Sequence, residues 1–264
     1  MTLNPTRLAR FSDWTQTLTP RPLPRTVVPV PGEYHLDYVR RLAAANHLEF
    51  LELCKVVDDH ASSGDGRHRW RERRQERLAA VAGQQPDRIA RLCWPEPGTY
   101  LRDPEAFRRG LRPACRRCTA RHHTAGPIFC QLPDHVTVCR RHRLWIGPDT
   151  RTISEQADLA TFPEYLTAQR HHQRLYRQHR HATAAAWRQV ENELHRQLYH
   201  HRPTHSQRRR LAHFATEGRP GDHLHRPGVA VALYPDLVRL TSRLLATTPN
   251  TDSPREDHRS RWTR

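Results

Sequence analysis

Residues 113–145 read PACRRCTARHHTAGPIFCQLPDHVTVCRRHRLW, and the fold turns on what this stretch does. Cys115 and Cys118 stand two residues apart. After twenty intervening residues, Cys139 and His142 repeat the gap. A C-x2-C turn presents two thiolates to one ion, and a C-x2-H turn closes a tetrahedron from the other side. The spacing predicts a zinc module over 113–145, with Cys115, Cys118, Cys139 and His142 as metal ligands. Four protein ligands leave no position open for water, so the expected Zn2+ is structural, not catalytic. Four of the six cysteines fall within 25 residues. The fourth of these, Cys130, lies mid-insert and reads as core. Ile128–Leu132 and Val136–Val138 are apolar or β-branched, with Pro133-Asp134 between them as turn chemistry. A short hairpin between those two runs is expected.

Upstream, RPLPRTVVPVPGEYHLDYVRRLAAANHLEFLELCKVV occupies residues 21–57. Its prolines exclude helix before Pro31 and suit extended chain. From Glu33 the pattern turns helical, with Tyr38, Leu42 and Ala45 on one face beside Val39. A second short helix follows Asn46-His47, with Phe50, Cys54 and Val57 inward and Leu51 and Leu53 flanking. Helices this short must pack together to be stable. Residues 58–69 read as a loop. Glu72–Ala82 reads as a helix with Leu78, Val81 and Ala82 inward, and Gly83 ends it as a C′ residue. Pro86 opens the next helix, whose edge is Ile89 and Leu92. Helix, glycine turn, short helix is the helix-turn-helix shape. A proline-broken connector over 94–112, with a short helix around 104–109, leads to the first knuckle.

The order of these parts resembles the TniQ/TnsD family of transposon target-selection proteins. The N-terminal match is carried by Leu23, Pro24, Pro29, Pro31, Gly32 and Glu33, then by Tyr38, Arg41, Leu42, Ala43, Asn46 and Leu48. The knuckles match at Cys115, Cys118, Cys139 and His142, followed by Leu144. The match covers residues 22 to about 147 and continues more weakly to about 246. Family members often carry Trp in the insert, where Phe129 stands here. The resemblance implies a non-catalytic protein that selects target DNA and recruits the transposition machinery, a transposase or a transposition ATPase. As an alternative, it leaves open an adaptor that links a targeting complex to such an ATPase with little direct DNA contact.

Beyond the knuckles, Phe162, Tyr165, Leu166 and Tyr176 recur at helical spacing, and Trp187, Val190, Leu194 and Leu198 do so in a following segment. The opposite faces carry Arg170, His171, His172, Arg174, Arg177, His179, Arg180 and His181, read as surface. Residues 201–228 read as basic loop and short helix, and a last helix follows Pro235 with Leu237, Leu240 and Leu244 on one face. The expected fold is mainly α: a small helical bundle with helix-turn-helix-like units around a zinc-ribbon or knuckle hairpin, then a C-terminal helical region. Its parts are a flexible leader (1–21), a TniQ-like domain (22–147), the helical region (151–246) and a disordered tail (247–264).

Composition bounds the partner. The formal net charge is +17, and of 44 basic residues only Lys55 is lysine. Genome composition accounts for Arg over Lys but not for the surplus over acid, which implies an anionic partner, most simply DNA. Two arginine groups are candidate nucleic-acid-binding sites, because guanidinium groups bind phosphate bidentately. One is Arg67, Arg69, Arg71, Arg73 and Arg74, before the helix-turn-helix shape. The other is Arg116, Arg117, Arg140, Arg141 and Arg143, on the exposed backs of the knuckles. No apolar run approaches a membrane span, and the N-terminus lacks the apolar core of a secretory signal. Cysteines spaced for metal suit a reducing, cytoplasmic setting. No phosphate loop, nucleophile elbow or H-E-x-x-H occurs, so an enzyme is not expected.

Overall fold

The computed structural model describes residues 20–58, 67–95, 110–122, 126–200, 202–215 and 227–247. The expectations for the leader, for most of the 58–69 loop, for the helix around 104–109 and for the tail beyond Thr247 lie outside those residues. The described chain is mainly helical and divides into two compact units. One is Met1–Leu132 with Arg151–Ile153, the other Pro133–Thr150 with Ser154–Arg264.

In the first unit, α1 (His35–Ala45), α2 (Phe50–Val57), α3 (Arg67–Ala82) and α4 (Pro86–Ala90) close on one core. Tyr38, Leu42, Leu78 and Ile89 are wholly excluded from solvent there, with Trp94 beside them. The helical face of α1 runs through Ala43 rather than Ala45, which is only half-buried. α2 turns Leu53 and Val57 inward and leaves Leu51 out. α3 starts five residues earlier than the apolar pattern predicts, because residues 67–71 carry a single apolar residue, Trp70, and one residue sets no period. It ends in a Schellman turn. Gly83 has φ +58°, its N–H bonds the Ala80 carbonyl at 3.2 Å, and the Gln84 N–H bonds that of Ala79 at 3.0 Å. A glycine reaches this left-handed conformation without steric cost. Pro86 then occupies the first turn of α4, where a missing N–H costs nothing.

The Pro31-Gly32-Glu33 turn is the anchor of this unit. Gly32 has φ +78°, and a Cβ there would stand 3.0 Å from the Gln131 carbonyl oxygen. Glu33 is wholly buried and accepts two hydrogen bonds from Arg41, at 2.8 and 2.7 Å, and one from the Val30 N–H at 3.0 Å. Arg41 is the next turn's reach along α1, so the turn and the helix are locked by one bidentate pair. Arg41→Met leaves a buried carboxylate unpaired and is expected to cost about 3 kcal/mol, read as a drop in the urea midpoint. A variant within 1 kcal/mol of wild type, a bound set roughly by surface pairs, would count against that role.

The expected hairpin between Ile128–Leu132 and Val136–Val138 does not form. β1 (Arg112–Pro113) pairs antiparallel with β2 (Phe129–Cys130), and β3 (Val138–Cys139) pairs antiparallel with β4 (Leu144–Trp145). The physical reason is that each run has a better partner. The backbone of 129–131 is taken up by the glycine turn: the Tyr34 N–H bonds the Phe129 carbonyl at 3.0 Å, and the Gln131 N–H bonds that of Gly32 at 2.8 Å. Val138 needs only to close across its own ligand turn, a short loop with a small closure cost.

The second unit is built on α6 (Glu164–His200), α7 (His205–Phe214) and α8 (Pro227–Thr247), counting the turn Arg116–Thr119 of the first knuckle as α5. α6 is two helices joined at His179, whose φ −131° and ψ 28° are non-helical. Tyr165, Ala168, Leu175 and Ala186 from α6 pack with Val231, Tyr234 and Val238 from α8, and Val190 and Leu194 pack with Val229, Leu233 and Leu237. α7 begins with a capping box in which Thr204 and Gln207 each accept from the other's backbone N–H. The last helix starts at Pro227, not after Pro235, which lies inside it. A proline there leaves carbonyls of the preceding turn without partners. The Tyr165 hydroxyl donates to the Val231 carbonyl at 2.9 Å and the buried Arg210 Nε donates to that of Ala232 at 2.7 Å. Tertiary partners thus replace the bonds that the sequence alone reads as a helix boundary. Gly228 is needed for close approach, since a Cβ would meet the Phe214 carbonyl oxygen at 2.1 Å.

One surface assignment is corrected. His172 is buried, stacked on Trp187 with ring centroids 4.2 Å apart, and its Nδ1 lies 3.3 Å from the Tyr234 hydroxyl. A basic neighbourhood in sequence hides the fact that position 172 is in phase with Tyr165 and Tyr176. His35 is likewise buried, stacked on Trp94 at 4.4 Å.

Burial lowers both imidazoles to about 3 from an ordinary 6.5, with Arg74 adding to the effect at His35 and His135 at His172. Between those pH values the unfolded chain binds protons that the folded one refuses. Stability is therefore full above pH 6.5 and lost as pH falls toward 3. At pH 5 each imidazole is expected to cost about 2 kcal/mol relative to pH 7. His172→Phe keeps the stack and should shrink the difference in unfolding free energy between pH 7 and pH 5 by about that amount. An unchanged difference would show that His172 titrates normally.

Candidate metal centre

Each half of the predicted site is a turn closed by its own backbone. At the first, the Cys118 and Thr119 N–H groups both bond the Cys115 carbonyl, at 2.9 and 3.0 Å, which curls Arg116–Thr119 into one helical turn and points both thiols the same way. The Ala114 N–H bonds the Ile128 carbonyl at 2.8 Å, so β1 and β2 hold that turn at its base. At the second, β3 and β4 flank the turn Cys139–His142, and the Arg143 N–H bonds the Cys139 carbonyl at 2.7 Å. Arg143 takes φ +52°, a conformation few non-glycine residues adopt, as the price of so tight a turn.

The donor atoms of Cys115, Cys118, Cys139 and His142 all lie within 4.8 Å of one another. Cys139 Sγ and His142 Nδ1 are 3.7 Å apart. Zinc–sulfur and zinc–nitrogen bond lengths imply a tetrahedron edge of about 3.6 Å, so the pair stands at the separation a shared ion requires. All six cysteines are free thiols, so no disulfide competes for these sulfurs. Cys115 is buried and the other three donors are half-buried. The four residues therefore fit a tetrahedral metal ion with sulfur-rich ligation. Cys130, read as core, is wholly buried, and burial raises its thiol strongly, which disfavours a thiolate ligand.

Gln169 is the residue of this region that the sequence concealed. It sits on α6, wholly buried, and its Oε1 accepts from the Thr137 N–H at 3.1 Å, the Thr137 hydroxyl at 2.7 Å and the Val138 N–H at 2.9 Å. Its Nε2 donates to the His135 carbonyl at 2.6 Å. One amide thus pins the strand that delivers Cys139. A lone glutamine on a basic helix reads as surface. The available signal was its phase, seven residues beyond Phe162 and seven before Tyr176 on the buried face. His135 stacks on Tyr176 at 4.1 Å.

The candidate arginines fall into different settings. Arg67 and Arg69 lie in the first turn of α3, where only the backbone is described. Arg71 donates to the Trp94 carbonyl, and Arg74 is buried and paired with Asp58. Arg73 is half-buried. On the first knuckle Arg116 donates to the Ile153 carbonyl at 2.8 Å, and Arg117 is exposed. On the second, Arg140, Arg141 and Arg143 are all exposed.

Among the described residues no helix is long and apolar enough to cross a membrane. No family model, curated protein or solved structure matches the chain.

Proposed function

We propose that this chain is a zinc-containing, non-catalytic accessory protein of transposition, acting in the cytoplasm, that binds target DNA and recruits a transposase or transposition ATPase. The observation that carries the reading is the convergence of Cys115, Cys118, Cys139 and His142 on one point. It supports the reading because the same four residues close the motif order by which the sequence resembles the TniQ/TnsD family. The buried Glu33–Arg41 pair supports it too, since both residues belong to the N-terminal part of that resemblance. The surplus of positive charge supplies the affinity for DNA.

The adaptor reading is kept alive by one observation. Arg71 and Arg74, two of the cations before the helix-turn-helix shape, are engaged within the fold. A salt titration separates the two. With about six phosphate contacts, the affinity of the full chain for a labelled duplex should fall about a thousandfold between 50 and 200 mM salt. Negligible binding at the lower salt, with co-purification of the ATPase, would favour the adaptor. Replacing Arg140 and Arg141 with alanine tests the knuckle surface, and an unchanged affinity would remove it from the footprint.

A further inference from the structure

The first straight segment of α6 carries a cationic stripe that no part of the motif order accounts for. Arg170, Arg174 and Arg177 are all exposed. Their spacing of four and then three residues puts them on one side of the helix, within an arc of about 60° and over about 10 Å of its axis. The opposite side is the buried one, with Tyr165, Gln169 and His172. The stripe therefore points directly away from the core. Arg177 Nε donates to the Gln173 carbonyl one turn back at 3.3 Å, a bond to a neutral acceptor that does not cancel the guanidinium charge.

Among the described residues its charge is uncompensated. From Tyr165 to Val190 the helix contains no Asp or Glu. Among the described residues, none of the three arginines has an ion pair. Arg74, by contrast, is buried against Asp58. Three like charges a turn apart repel one another and destabilise the isolated helix. A stripe kept in that state is suited to a partner that supplies the missing negative charge at regular intervals.

We propose that Arg170, Arg174 and Arg177 grip the phosphate backbone of duplex DNA, as a contact surface distinct from the knuckle arginines. This rests on the DNA-binding reading above. Over 10 Å of its axis a duplex presents about six phosphates, more than enough to engage three guanidinium groups. Such contacts hold and orient the duplex without reading its sequence.

The test uses the full chain, zinc-loaded, with a fluorescein-labelled duplex of random sequence and a salt series. Arg170→Ala, Arg174→Ala and Arg177→Ala combined should reduce the slope of log affinity against log salt by about 2 to 3, and weaken binding at 0.1 M salt by about tenfold or more. The corresponding triple lysine variant should keep the wild-type slope, because it keeps the charges. Unchanged zinc content and helical circular dichroism in both variants show that the fold is intact. A triple alanine variant with the wild-type slope overturns the stripe while leaving DNA binding in place. A triple lysine variant that loses the slope also overturns it, since charge would then not be the cause. A wild-type protein whose affinity does not depend on salt overturns the DNA-binding reading itself.

Discussion

Cys139→Ser is expected to lose the metal. Wild-type protein should carry close to one zinc per chain by elemental analysis, and the variant close to none after dialysis. Serine keeps the size of the side chain but not a thiolate, and three remaining donors hold zinc far more weakly than four. Structural zinc in small domains contributes on the order of 10 kcal/mol, because the ligands are not assembled without it. The two-residue strands around each ligand turn are too short to persist alone. The loss should therefore appear as proteolytic cleavage within 113–145 and as a lowered thermal midpoint. Chelation of the wild type should reproduce both. Cys130→Ala is the control: it empties a core position and should lower stability while leaving the zinc content at one. A Cys139→Ser protein that retains zinc, or a wild type that is metal-free and fully folded, would dismiss the metal centre.

Gln169→Leu should have the next largest effect. The leucine side chain fits the volume but strands two backbone N–H groups, a hydroxyl and a carbonyl that the amide now satisfies. Each buried polar group left without a partner costs about 1–3 kcal/mol, so a loss of about 4 kcal/mol in the denaturant-unfolding free energy is expected. The loss should be local in origin. Amide exchange at Thr137 and Val138 should accelerate more than exchange along α1. If the variant unfolds within 1 kcal/mol of wild type, roughly the worth of one ordinary hydrogen bond, the amide is not the pin its geometry implies.

These two residues mark the line between what could be read and what could not. Cys139 was legible because metal ligation imposes a spacing on the chain itself: two donors on one turn must be separated by two residues, wherever that turn later lies. Gln169 was not, because its partners are 31 to 65 residues away and nothing in its immediate neighbours signals a buried amide. The same contrast runs through the fold. Gly83 and Pro86 were legible as a helix end and a helix start, since both act through their own backbone geometry. Pro235 misled for that same reason. Its local effect is to break a helix, and only Tyr165 and Arg210, brought in from other helices, satisfy the carbonyls it leaves open.

What the amino-acid order determined unaided is therefore the set of short-range features: the mainly helical class, most of the inward-facing residues, and the four donors that could hold a metal ion. Each follows from periodicity or from the geometry of a single turn. The tertiary structure decided which strands pair, which histidines are buried and which arginines still have charge to offer. Strand runs of two residues have no preference strong enough to choose a partner, so Phe129–Cys130 went to the glycine turn and Val138–Cys139 to its own ligand loop. Arginines are alike in sequence until a fold supplies Arg74 with Asp58 and leaves Arg170, Arg174 and Arg177 facing water. Burial and pairing energies depend on neighbours distant along the chain, and those neighbours exist only once it has folded.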